Sequence, residues 1–83
     1  MTSMKKTKLK ILRNPTNPVP TEFLSEALSN LLGYEVTQAY TCASIINRTG
    51  GYIVKTFSKK DYFLAEELLT QLTELGITAE LQS

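Results

Sequence analysis

The side chains best suited to chemistry are few in this sequence, and those present are poorly spaced for it. Histidine is absent, which excludes Ser-His and Cys-His nucleophile pairs and any histidine-based general acid or metal site. The one cysteine, Cys42, falls beside the apolar stripe of a helical segment, where a packed or half-packed thiol is expected rather than a nucleophile. Of the eight carboxylates, Glu22 and Glu26 stand one helical turn apart and read as a solvated helix face. Gly50-Gly51 is a turn and no glycine-rich phosphate loop follows a strand. The expectation is a chain that binds another macromolecule, catalyses nothing and needs no cofactor or metal.

Charge is the next candidate for function. The net charge is only +1, but Lys5, Lys6, Lys8, Lys10 and Arg13 precede every acid. The rest of the chain has four basic against eight acidic residues, a net of −4. A basic arm on an acidic body could touch nucleic acid or an acidic partner; by domain, residues 1–7 form the short arm and 8–83 a single domain. The plainer expectation is a solvated edge strand whose lysines guard it against aggregation. Tyr34, Tyr40, Tyr52, Tyr62 and the phenylalanines could stack on bases, but none sits in a recognisable RNA-binding motif, so nucleic acid is the weaker partner.

These residues must be held by a small framework. A chain of 83 residues makes one domain with a thin core. No stretch approaches the roughly 20 apolar residues of a membrane span. The first ten residues, MTSMKKTKLK, carry no secretory pattern, and a single cysteine suits a reducing cytoplasm. Lys8–Arg13 (KLKILR) alternates Leu9 and Ile11 with lysines and reads as a strand. Three prolines within Asn14–Pro20 (NPTNPVP) impose a stiff, non-helical loop.

Pro20 suits a helix start, and Phe23, Leu24, Ala27, Leu28, Leu31 and Leu32 recur at helical period until Gly33. Val36, Ala39, Tyr40, Ala43 and Ile46 mark a second helix ending at Asn47–Gly51. Gly51–Phe57 (GYIVKTF) reads as a strand, and Ser58-Lys59-Lys60-Asp61 has the form of a capping box. Tyr62, Ala65, Leu68, Leu69, Leu72 and Leu75 mark a third helix, and Ile77, Ala79 and Leu81 a last strand. The fold class is α+β: a β-α-α-β-α-β two-layer domain whose three-stranded sheet is covered on one face by helices. The unpaired sheet edges allow a monomer or a weak dimer.

The strand, the asparagine-led loop and Pro20-Thr21-Glu22-Phe23-Leu24 together resemble the Clp protease adaptor (ClpS) family, from about Leu9 to Gln82. That family reads strand, N-D-D-x-x-P-x-E-F-V, two helices, then strand, helix, strand. The segment from Ser58 to Ile77 is also similar to the C-terminal domain of the bacterial ribosomal stalk protein. The resemblance implies a ClpS-like fold, a Clp ATPase N-terminal domain or a peptide or protein as partner, and a pocket for the free N-terminus and first side chain of a degradation signal.

Carried onto this sequence, the resemblance places the pocket at Asn14, Thr16, Asn17, Thr21, Ala43, Ile46 and Asn47. Asn14 matches the family's leading asparagine, while Pro15 and Thr16 stand where it has acids, and the loop is one residue longer. Asn47 stands where the family has a histidine that helps hold the amino group. Thr21 replaces what is often a methionine, and Ala43 and Ile46 match apolar wall positions. An ammonium that loses the acidic pair loses a charge-assisted hydrogen bond of about 1.5–3 kcal/mol, so recognition of ordinary N-terminal signals is expected to be altered or lost. Two alternatives stand beside this: the same fold reused as an interaction or inhibitor module outside proteolysis, and weak nucleic-acid binding through the basic arm. By residue type alone, Asn14 also suits a loop cap, Asn47 a helix end, and Ala43 and Ile46 plain core.

Overall fold

A computed structural model describes residues Lys6 to Gln82. Most of the proposed basic arm, residues 1–5, lies outside the described residues. The order is β1 (Thr7–Leu12), α1 (Thr21–Leu32), α2 (Val36–Thr49), β2 (Gly51–Phe57), a short 3-10 turn (Lys59–Asp61), α3 (Tyr62–Glu74) and β3 (Ala79–Gln82). The β-α-α-β-α-β order read from the sequence is therefore the one observed. β1 begins at Thr7, which pairs with Phe57, one residue before the start expected from the lysine alternation.

The three strands form one antiparallel sheet in the order β2-β1-β3. β1 is therefore the central strand, which corrects the expectation that its lysines guard an edge. Thr7, Leu9 and Ile11 are buried on one face. The opposite face carries Lys8 and Lys10, which pair across to Gln82 and Glu80 of β3. The edge device belongs to β2 instead. The register slips between Leu9 and Lys10, which pair with Lys55 and Ile53 and leave Val54 as the extra residue of a bulge. Lys55 then leans over the Phe57 ring, its ammonium 5.7 Å from the ring centre. A bulge and a lysine on the strand that ends the sheet both discourage pairing with another chain.

The helices cover the buried face. Leu24, Ala27 and Leu28 of α1, and Ala39, Cys42, Ala43 and Ile46 of α2, join Leu9, Ile11, Val54, Phe57, Ala65, Leu72 and Ile77 in one core. The expected stripe of α2 is thus rotated. Cys42 takes a buried place, whereas Val36, the first residue of the helix, and Tyr40, about 100° round the helix from Ala39, are exposed. In α3 only Ala65 and Leu72 are fully buried. Tyr62 and Leu75, expected on its inner face, are exposed at its two ends.

Two local motifs fix the chain's path. α1 ends at Gly33 with φ +74°. There the Tyr34 N–H reaches back to the Leu28 carbonyl and the Gly33 N–H to that of Ser29. A residue with a Cβ resists this left-handed turn. It delivers Tyr34 inward, where the Tyr34 hydroxyl donates to the Val54 carbonyl and the Ser29 hydroxyl donates to the Tyr34 carbonyl at 2.9 Å. The capping box at Ser58 does not form as expected. The Ser58 hydroxyl bonds the Asp61 carboxylate at 3.2 Å, and neither side chain caps a backbone N–H, because a 3-10 turn intervenes before α3.

Candidate functional site

The end of β1 is tied to the end of α2, and this fixes the rim of a groove. Past the strand, the Arg13 N–H donates to the Gly50 carbonyl at 3.0 Å. The Arg13 guanidinium Nη1 donates to the Asn47 carbonyl at 2.8 Å. That carbonyl belongs to the last turn of α2, where backbone acceptors lack helical partners and a cation is favoured.

The proline loop then crosses to α1. Asn14 Oδ1 accepts from the backbone N–H groups of Thr16 at 2.9 Å and Asn17 at 3.3 Å, an Asx turn of the kind asparagine makes readily. At the far end Asn47 Nδ2 donates to the Val19 carbonyl at 3.3 Å and to Thr21 Oγ1 at 2.8 Å. One amide thus pins the loop's exit and the first residue of α1 to the end of α2. The result is an open groove of about 590 Å³ lined by Arg13, Pro15, Pro18, Val19, Pro20, Thr21 and Asn47. None of these seven side chains is acidic. The three prolines give it walls with fixed φ and no N–H to satisfy.

The residues singled out from the sequence divide three ways. Thr21 and Asn47 are brought together and line the groove. Asn14, Thr16 and Asn17 come together as the loop's own turn, with the Asn14 acceptor directed at its backbone. Ala43 and Ile46 are fully buried among the core side chains and do not line the groove, because positions 39, 43 and 46 of α2 face α1 and the sheet. The plain roles of loop cap and core therefore describe Asn14, Ala43 and Ile46, whereas Asn47 does more than end a helix.

Arg13, which also lines the groove, is not among the residues singled out from the sequence. By residue type it is only the last member of a basic run begun by the lysines. The signal that sets it apart is position: it is the only one of them at the junction of the strand and the asparagine-proline loop.

Cys42 is not an activated thiol. Burial pushes its pKa up from the ordinary 9.0, and the neighbouring Tyr34 hydroxyl offsets this only in part. Burial likewise raises Tyr34 above 10.0, with the neighbouring Cys42 and Tyr52 adding to the rise. Among the described residues there is no cluster of three or more His, Cys, Asp or Glu side chains that could hold a metal ion. No helix among them is long and apolar enough to cross a membrane.

No protein-family model matches this sequence, and no curated protein matches it. Solved structures do. ClpS2 of Agrobacterium tumefaciens bound to L-phenylalaninamide superposes with a TM-score of 0.76 at 16% sequence identity, over 96% of this chain and 98% of that one. At this identity the agreement is one of architecture. It bears out the fold expected from the Asn14–Leu24 segment and the order of elements: the chain has a ClpS-like fold.

Proposed function

We propose that the protein is a non-catalytic, cytoplasmic binding module that takes a peptide in the groove between the proline loop, α1 and α2, and docks on the N-terminal domain of a Clp ATPase. The observation that carries this reading is the groove itself. It is concave and rimmed by prolines, and the Asn47–Thr21 bond holds its polar side chains in place. Pre-positioned walls of this kind lower the ordering cost of binding an extended segment. The bound amino-acid amide in the similar ClpS2 structure agrees with a peptide-like ligand. The absence of histidine and of any acid in the groove weighs against chemistry there.

Recognition differs from that expected of the family. Pro15 and Thr16 offer no negative charge, and Asn14 Oδ1 is engaged by its own loop. An ammonium placed beside Arg13 meets a like charge, so an ordinary N-terminal degradation signal binds weakly or not at all.

The test is a titration of the labelled protein with a Clp ATPase N-terminal domain, followed by amide shifts. Saturable shifts away from the groove support the docking and leave the groove free for a ligand. No shifts at high concentration retire the Clp connection. A second reading is favoured by one observation, the apolar run Tyr62-Phe63-Leu64 exposed at the start of α3. A folded protein unrelated to proteolysis would cover that run, and the shifts would then concentrate on α3 with a partner other than the ATPase. Binding to nucleic acid by Lys8 and Lys10 is disfavoured by Glu80 across the sheet from Lys10. A steep fall in affinity with salt would be its signature.

A further inference from the structure

The hydrogen bonds that build the groove leave a definite set of donors and acceptors facing a ligand. Arg13 has five N–H donors, and one bond, from Nη1 to the Asn47 carbonyl, anchors the exposed guanidinium at the rim. The remaining donors have no partner among the described residues. The orientation of the Asn47 amide is fixed by chemistry, because the Val19 carbonyl can only accept and so must face the NH2 group. That same NH2 group donates to Thr21 Oγ1. The Thr21 hydroxyl thus accepts from Asn47, and its own proton has no protein acceptor among the described residues. Asn47 Oδ1 is left as an acceptor. The side chains lining the groove therefore offer a guanidinium and a hydroxyl proton as donors, one amide oxygen as acceptor, and no negative charge.

We infer that the groove binds a carboxylate carried by a peptide, with the guanidinium of Arg13 and the hydroxyl of Thr21 donating to it and Asn47 Oδ1 accepting a nearby peptide N–H. This rests on the peptide-binding reading above and names the chemistry of its ligand. Planar, forked donors match a carboxylate, and an Arg already anchored through one nitrogen loses less freedom on binding. The carboxylate is either the C-terminus of a chain or an aspartate or glutamate side chain. Both place an N–H within the same residue.

Four alanine-based hexapeptides titrated into the labelled protein, with amide shifts as the readout, separate the possibilities. The first has a blocked N-terminus and a free C-terminal carboxylate. The second has both ends blocked, the third adds one internal glutamate to the second, and the fourth has a free amino terminus and a blocked C-terminus. The expected result is saturable shifts at Arg13, Thr21 and Asn47 with the first, the third or both, and none with the second and fourth. Response to the first alone assigns a chain terminus, and response to the third alone a side chain.

Arg13→Gln is expected to weaken binding by about tenfold or more, the loss of a charge-assisted pair. Arg13→Lys, which keeps the charge without the fork, should fall between. A well-dispersed spectrum of each variant excludes loss of the fold. Groove shifts with the fourth peptide, or equal binding of the doubly blocked second, overturn the carboxylate inference and leave the peptide-binding function standing. Silence with all four overturns both.

Discussion

The α1–α2 pair and α3 cover the same sheet face, yet they are built to different standards. α1 and α2 each bury four side chains, and their far ends are tied by Tyr34 to β2 and by Asn47 to the proline loop. α3 buries two and leaves Phe63 74% and Leu64 51% exposed. Helices of similar length and similar apolar content thus divide into a pair that organises the groove and a third that covers the sheet more thinly. Apolar period tells which face of a helix turns inward. How deep that face goes depends on a partner helix, which α1 and α2 have in each other and α3 lacks.

The largest expected effect lies in the α1–α2 interface. Ile46→Ala removes a side chain with no exposed surface, and a loss of about 2–5 kcal/mol is expected from transfer and cavity terms. Urea unfolding measures it. Leu64→Ala on α3 should change stability by less than about 1 kcal/mol, since most of its gain on burial is never realised. Equal losses at the two positions would break the comparison.

Asn47→Ala comes next. It leaves the half-buried Val19 carbonyl and the Thr21 hydroxyl without their shared donor, at a cost of about 1–3 kcal/mol. The shifts it causes should concentrate at Val19, Thr21 and the proline loop. Asn47→Asp is instructive beside it, because a carboxylate cannot donate to the Val19 carbonyl yet adds the negative charge that an ammonium requires. It should lose comparable stability while turning the groove's preference from carboxylate-bearing towards amine-bearing peptides.

How much of this was legible in the sequence follows from what each feature depends on. The six main elements were legible because they rest on local period and punctuation: Gly33, Gly76 and the prolines end or forbid helix wherever they fall. The ClpS-like fold followed from Pro20-Thr21-Glu22-Phe23-Leu24 in that setting. β1's central position was not legible, since its lysines suit an edge as well as a wet sheet face, and only the pairing with β3 decides between them. The exposure of Val36 and Tyr40 depends on the crossing of α2 over α1, which no local pattern encodes. The resemblance pointed to Asn47 and Thr21, which line the groove, but not to Arg13, whose place there depends on where the end of α2 falls in space. Ala43 and Ile46 were drawn towards the pocket by the same resemblance, although their helical spacing alone favoured core.

The Tyr34 anchor sharpens the comparison through pH. Tyr34 and Cys42 both have pKa values raised in the folded state above 10.0 and 9.0, chiefly by burial. The folded protein therefore holds these protons more tightly than the unfolded chain does. Their contribution is complete below pH 9 and is lost as pH rises through the raised folded values, because there the unfolded state binds fewer protons. Stability should accordingly fall on the alkaline side, the thiol acting first. Tyr34→Phe should cost about 1 kcal/mol at neutral pH for the lost bond to Val54 and flatten the fall above pH 10. A profile unchanged by Tyr34→Phe would detach the alkaline effect from this anchor.

The smallest effect is expected at the most exposed large side chain of α3. Phe63 has little buried surface to lose on truncation, and Ser is about equal to Phe as a helix former, so Phe63→Ser should stay within about 0.5 kcal/mol of the parent. Its measured melting transition should overlay that of the parent, while its solubility rises as an apolar patch is broken. A loss of 2 kcal/mol or more would mean that Phe63 is buried in solution, as in a dimer formed through α3. That outcome would remove the contrast between the helices, since α3 would then have the partner that α1 and α2 find in each other. Dilution separates the two cases, because only stability drawn from a dimer falls with protein concentration.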